Sequence, residues 1–321
     1  MDTKIRIGVI GVGHLGQYHV QKYRAIEGTD LVGIVDMDKD RALDIAKRYD
    51  TRSFKSVGEI LDRVDAVSIA VPTESHFEVA REVLSHGVHL LIEKPITYEE
   101  SQADELIELA ARNSLALQVG HVERFNPAVV KMESLLMRPI FIESHRLNLF
   151  TVRGTDVDVV LDLMIHDLDI ILHLVQSEIR ELHAVGMSVL TGKTDIANVR
   201  IIFQNGTVAN LTASRVSNNT LRKIRIFQPD AYISVNCFKK DISVTRLDDS
   251  SNSNTFPQIV SSKMSYPDAD PLFDEISAFV RAVREKTIPV VTGEDGRRAL
   301  KVAMAIMGQI EKGCKDFESI C

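Results

Sequence analysis

Asp162 and His166, in the stretch Asp162-Leu-Met-Ile-His166-Asp167-Leu-Asp169, stand one helical turn apart on one face. A carboxylate so placed holds an imidazole in position and raises its basicity, as proton transfer requires. Buried structural His–Asp pairs share the spacing, so the chemistry needs a second group. Lys94, in Glu93-Lys94-Pro95, directly follows an apolar run and falls outside the carboxyl end of an expected strand, where open parallel sheets bind ligands. A cation there can stabilise a developing alkoxide. The third element is Gly11-x-Gly13-x-x-Gly16. Gly11 suits a tight turn, Gly13 a close backbone approach to a pyrophosphate, and Gly16 close helix–strand packing, while the helix start around His14 and Leu15 offers amides to the anion. Asp36, 20 residues beyond Gly16, can accept from both hydroxyls of a ribose. A 2′-phosphate would meet that carboxylate, and Met37 rather than arginine follows it, so NAD is favoured over NADP. Lys39 and Arg41 are the cations nearby, each equally readable as a solvated surface charge; Arg41 is retained as a candidate cofactor contact.

Groups of this kind need a scaffold. Short β-branched runs at 5–10, 31–35, 66–70, 89–92 and 115–119 alternate with helical patterns at 15–26, 41–49, 77–86 and 99–113, the grammar of a parallel sheet with crossover helices. Ser56/Glu59, Ser75/Glu78 and Thr97/Glu100 have capping-box spacing and predict three helix starts. After Gly120 the pattern changes. Asn126-Pro127 opens a helix to about residue 137, a strand follows at 140–148, and a helical stretch at 159–175 carries Asp162 and His166. Consecutive strands at 179–190, 198–204, 207–216, 222–228, 232–238 and 242–247, with Asn205-Gly206 as a two-residue hairpin turn, predict an antiparallel sheet. The polar tract 248–254 reads as a loop. Helices at 271–286 and 294–312 are expected to pack on that sheet or on the first domain. The expected class is α/β: a Rossmann doubly wound parallel sheet binding NAD (residues 1–121), then an α+β domain with a predominantly antiparallel open sheet for substrate binding and oligomerisation (residues 122–321).

At 321 residues the chain exceeds what one core usually serves, in keeping with two domains. Hydrophobic residues at 45% and charged residues at 26% exclude extended disorder. A net charge of −7 provides no basic field, so nucleic acid is not an expected partner. No run of about 18 apolar residues occurs, which argues against a membrane span or a signal peptide. Cys237, Cys314 and Cys321 lack metal-ligand spacing, which suggests free thiols, no metal site and a cytoplasmic setting.

The three motifs, in this order and at these distances, resemble the family of glucose–fructose oxidoreductase, inositol dehydrogenase and rhizopine catabolism proteins (Gfo/Idh/MocA). The resemblance covers essentially the whole chain, including Ala70-Val71-Pro72-Thr73-x-x-His76 and Val291-Thr292-Gly293-Glu294-Asp295-Gly296. It implies that Lys94 contacts the reacting oxygen, that His166 is the general acid/base with Asp162 as its partner, and that Pro95 follows a cis peptide bond. It also implies that Pro72, Thr73, His76 and Glu93 lie on the cofactor side. Family members acting on free sugars often carry glycines before the catalytic helix, whereas this chain has Val157-Asp158-Val159-Val160 and Met164, which argues against a free polyol. The segments Gly120-His121-Val122-Glu123-Arg124-Phe125-Asn126-Pro127 and Phe150-Thr151-Val152-Arg153-Gly154 look most like the branch that oxidises UDP-N-acetylglucosamine at its 3-hydroxyl. Arg124, Asn126 and Arg153 are therefore substrate candidates. The two arginines could bind a diphosphate or sugar hydroxyls, or equally serve in ordinary ion pairs. His19, His121 and His145 are assigned no chemistry, Asp167 should point away from the site, and Asp169 should cap or brace. The resemblance thus implies hydride transfer between NAD and a secondary alcohol of a sugar or nucleotide sugar, in a homodimer or homotetramer. The alternatives are a dinucleotide-binding sensor of the same fold and a reductase for a non-sugar ring. Joint presence of Lys94, Asp162 and His166 favours the enzyme, because a sensor has no use for them.

Overall fold

Strands buried on both faces read as unbroken apolar runs, and this is the pattern of the first sheet. The computed structural model describes residues 4–151, 157–248 and 258–318. In it β1 (Ile5–Ile10), β2 (Thr29–Val35), β3 (Arg52–Phe54), β4 (Ala66–Ile69), β5 (His89–Glu93) and β6 (Leu117–Gly120) pair in parallel in the order β3-β2-β1-β4-β5-β6. The order reverses beside β1, the switch point at which such sheets bind ligands. Crossovers are made by α1 (Gly16–Ala25), α2 (Lys39–Arg48), α3 (Val57–Leu61), α4 (His76–Ser85) and α5 (Glu100–Arg112). The short β3 lacks an apolar signature and escapes the sequence pattern.

None of the three expected capping boxes forms with the residues the spacing gave, and only Ser56 caps a helix. Ser56 caps α3 by accepting from the Glu59 N–H, although Glu59 reaches Lys55 N rather than Ser56 N. Ser75 caps nothing, because the 3₁₀ turn Thr73–Ser75 runs straight into α4. The Thr97 hydroxyl donates instead to the Glu99 carbonyl, and α5 starts later, with Gln102 accepting from Glu99 N.

Two compact units divide the chain: Met1–Val122 with Asp270–Leu300, and Glu123–Ala269 with Lys301–Cys321. The first therefore includes α8 (Pro271–Glu285), whose Ile276, Phe279, Val280 and Val283 follow helical spacing and join Val20 and Tyr23 of α1 in one buried cluster. Asp270 caps α8 at Phe273 N and accepts from Lys22 of α1 at 2.5 Å.

In the second unit β7 (Phe141–Leu147), β8 (Ile179–Met187), β9 (Ile196–Phe203), β10 (Val208–Ser214), β11 (Leu221–Gln228), β12 (Ala231–Asn236), β13 (Asp241–Leu247) and β14 (Ile259–Ser265) form one sheet. Its order is β14-β13-β12-β11-β7-β10-β9-β8, antiparallel except for the parallel pair β7–β10. One face is buried, with Ile142, Val199, Leu211, Ile224, Ile233 and Ile242 fully covered. The sequence gives little sign of β14, whose residues are mostly exposed. The expected two-residue turn is a three-residue one: Gly206 N donates to Phe203 O, Phe203 N donates to Thr207 O, and Gly206 takes φ +90°, a left-handed position suited to glycine. The helix α6 (Pro127–Glu133) is capped by Asn126 as expected but stops short of residue 137. Beyond its end Gln228 of β11 holds the chain, accepting from Met137 N and donating to Leu135 O.

The edge strand β8 is covered rather than open. Gln309, on α9 (Gly293–Glu318), accepts from Ala184 N at 2.9 Å and donates to Leu182 O at 2.8 Å, as a neighbouring strand would. No described helix is long and apolar enough to cross a membrane.

Candidate active site

At the carboxyl edge of the first sheet, β1 is followed by Gly11, whose φ is +82° and whose N–H donates to Val35 O at 2.8 Å. Added Cβ atoms at Gly11 and Gly16 would stand 2.8 Å from the Ala70 carbonyl and 1.8 Å from Gly11 O, so packing alone demands glycine at both. At Gly13 a Cβ would meet nothing within 4 Å. The chain itself places no demand there, which fits an approach reserved for a ligand. α1 also lacks a side-chain cap and an acidic first-turn residue, whereas α2, α3, α6 and α8 are capped by Asp38, Ser56, Asn126 and Asp270. Its start, with His14 and Leu15 exposed, is suited to the pyrophosphate of NAD.

Asp36 is held from three sides. Oδ2 accepts from Val12 N at 2.8 Å and Arg41 Nε at 3.2 Å; Oδ1 accepts from Asp38 N at 2.8 Å and Arg41 Nη2 at 2.7 Å. Burial pushes this carboxyl up, but the Arg41 bonds and charge and the two backbone amides outweigh it and hold Asp36 below the usual range. At β5, Glu93 precedes Lys94, and the Lys94–Pro95 bond is cis, as the family resemblance implied. His76 lies fully inside, Nδ1 at 2.8 Å from Pro95 O and Nε2 at 3.0 Å from Val71 O. Burial drives its basicity down against these carbonyls and the nearby Glu93. Pro72 and Thr73 begin the turn that leads to it.

In the second unit the turn Val160–Met164 is a π-turn, a form frequent at functional sites, followed by α7 (Ile165–Val175). From residue 159 to residue 172 every residue is buried except Asp162 and His166. Asp158 accepts from Val160 N at 3.0 Å through its side chain and from Asp162 N at 2.9 Å through its carbonyl, fixing the turn. Asp167 points elsewhere, as expected: Arg146 of β7 donates to both of its oxygens, at 3.0 and 2.8 Å, and its Nη1 donates to Glu123 at 2.9 Å. Asn126 donates to Glu123 and to the Cys237 carbonyl while capping α6. Asp169 braces, accepting from Arg124 at 3.4 Å. Arg124 Nη2 also donates to His173 Nδ1 at 2.8 Å, so His173 carries its proton on Nε2 and donates to Glu133 at 2.9 Å. The guanidinium of Arg124 and the amide of Asn126 are thus committed within this unit, and Arg153 lies outside the described residues.

A family model described as an oxidoreductase family with an NAD-binding Rossmann fold matches residues 5–121, and a GFO/IDH/MocA C-terminal domain matches 143–233. The chain is 40% identical over 311 residues, 96% of its length and 97% of the relative's, to UDP-N-acetylglucosamine 3-dehydrogenase of Acidithiobacillus ferrooxidans. The chain belongs to the GFO/IDH/MocA oxidoreductase family. A solved structure of the Acidithiobacillus enzyme superposes with a TM-score of 0.91 at 39% identity, covering 96% of this chain and 98% of that one. Scyllo-inositol 2-dehydrogenase (NAD(+)) of Bacillus subtilis is 25% identical over 334 residues, 98% of this chain and 96% of that relative.

Membership in the GFO/IDH/MocA family makes this an oxidoreductase with an NAD-binding domain. NAD should bind more tightly than NADP, because a 2′-phosphate brings about two negative charges to Asp36. Asp36→Ala should narrow the difference by about tenfold or more, since it removes the repelling carboxylate and releases Arg41; calorimetry with both cofactors measures it. Sequence reasoning missed Arg146, Glu123, His173 and His19. For Arg146 a signal existed: it shares strand parity with the buried Ile142 and Ser144, which places an arginine inside.

Proposed function

We propose that the protein is a NAD-dependent dehydrogenase that oxidises the 3-hydroxyl of UDP-N-acetylglucosamine to a ketone. The observation that carries the chemistry is that Asp162 and His166 alone are partly exposed within the otherwise buried stretch from residue 159 to residue 172. The full-length likeness to an enzyme named for that substrate supports its identity. In this reading His166 accepts the hydroxyl proton while Asp162 orients the ring and favours its charged form. Lys94 donates to the oxygen as it becomes an alkoxide and then a carbonyl. Bound NAD supplies the hydride acceptor. NAD reduction assayed with UDP-N-acetylglucosamine, other nucleotide sugars, free glucose and inositol should give turnover with the first. Faster turnover of a free polyol would overturn the substrate assignment, and cofactor binding with no turnover of any sugar would favour a sensor.

We also propose that the open sheet joins copies of this chain. Its outer face stacks Phe141, Phe227 and Tyr232, with ring centroids 5.7 and 5.0 Å apart, beside the Glu143–Arg225 ion pair at 3.3 Å. Light scattering at micromolar concentration should report a dimer or tetramer. The exposed free thiol of Cys314 suits a reducing, cytoplasmic setting.

A further inference from the structure

His19 lies on α1, three residues beyond Gly16, with none of its side chain exposed. Its Nε2 is 3.0 Å from Glu93 Oε1. An ionised carboxylate only accepts, so the ring donates through Nε2, and Nδ1 has no hydrogen-bond partner. Glu93 closes β5 with a side chain only 10% exposed. Its carboxyl presses on Gly120 of β6: a Cβ there would stand 3.0 Å from Cδ and from both oxygens. Glu93 is therefore confined on the β6 side and screened from water, with the imidazole as its donor. On the other flank of Lys94, the Pro95 carbonyl meets His76 of α4. Lys94 is thus covalently strung between two residues, each held by a buried histidine from a different helix.

We infer that His19 is a positioning residue: through Glu93 it sets where the Lys94 ammonium stands. This rests on the reading of Lys94 as the group that stabilises the alkoxide. Without the imidazole donor, the buried Glu93 carboxylate takes its neighbour in the chain, the Lys94 ammonium, as counter-charge and draws it from the reacting oxygen. A histidine that merely filled space would be replaced by leucine without that consequence.

The test compares His19→Leu, His19→Gln and the double variant His19→Leu/Glu93→Gln in NAD reduction with UDP-N-acetylglucosamine. His19→Leu should lose about 10- to 100-fold in kcat with little change in KM for NAD. His19→Gln, which keeps a donor, should recover most of the loss. Glu93→Gln in the leucine background should also restore activity, because a neutral amide no longer competes for Lys94. Wild-type kcat in His19→Leu, or equal impairment of the leucine and glutamine variants, overturns the inference. If His19→Leu does not fold, His19→Gln against His19→Met decides: the first keeps a donor and should retain most of the wild-type kcat, the second lacks one and should lose about tenfold or more, and equal kcat in the two overturns it. Lys94→Ala separates the two readings. Full activity there removes the role of Lys94 itself, whereas an inactive Lys94→Ala beside a normal His19→Leu removes only the positioning role.

Discussion

Replacing His166 with alanine should lower turnover by about 100-fold or more, and Lys94→Ala should do the same, while NAD affinity barely changes. In the proposed reading neither side chain contacts the pyrophosphate or ribose, for which Gly11, Gly13, Gly16 and Asp36 are the candidates. The loss should appear equally in kcat and kcat/KM, the signature of a contact made in the transition state. Asp162→Asn should cost less, because it removes charge and orientation but leaves the imidazole. Steady-state kinetics with calorimetric titration of NAD separates these effects. Full activity in His166→Ala on a true substrate would show the acid/base assignment to be wrong, even with family membership intact.

Arg146→Met should be the most damaging single change to stability, by about 3–5 kcal/mol in denaturant unfolding at neutral pH. Arg146 is 2% exposed and is the shared cation of Asp167 and Glu123. Its loss leaves two buried carboxylates facing one another's charge, with Arg222 more distant from Glu123 at 3.9 Å. Burial raises Glu123, but the Arg146 charge and hydrogen bond, Asn126 and Arg222 together hold it below the ordinary range. The sign follows. In the wild type this depressed carboxyl contributes stability above its unfolded value and loses it as pH falls through its folded value. In Arg146→Met burial is left to raise the Glu123 carboxyl, so protonation relieves it. The difference between the two proteins should therefore shrink as pH falls from 7 toward 4. A difference constant with pH would mean that the lost packing of the arginine stem dominates.

Where local chemistry and global packing agree, the sequence is readable. The Gly11–Gly16 turn, the parallel strands and the Asn126 cap combine patterns with a direct local cause. The Thr97 and Ser75 caps failed because their hydroxyls had other local options, a carbonyl two residues on and a preceding 3₁₀ turn. β14 was invisible because an exposed edge strand carries no alternating pattern. At the candidate site the reactive residue types stood out, but their supports did not. His19 and Glu93 are 74 positions apart and Arg146 and Asp167 are 21 apart, and only the sheet order brings each pair together. Arg124 read as a phosphate ligand or an ion pair with equal ease, and its bonds to Asp169 and His173 depend on the same long-range packing.

The most direct measurement uses UDP-N-acetylglucosamine carrying deuterium at carbon 3 and, separately, at carbon 4, with mass analysis of the reduced cofactor. Oxidation at the 3-hydroxyl moves the carbon-3 hydrogen to the nicotinamide, so deuterium should appear in the cofactor from the first substrate and not from the second. Turnover with label arriving from carbon 4, or from neither position, would contradict it.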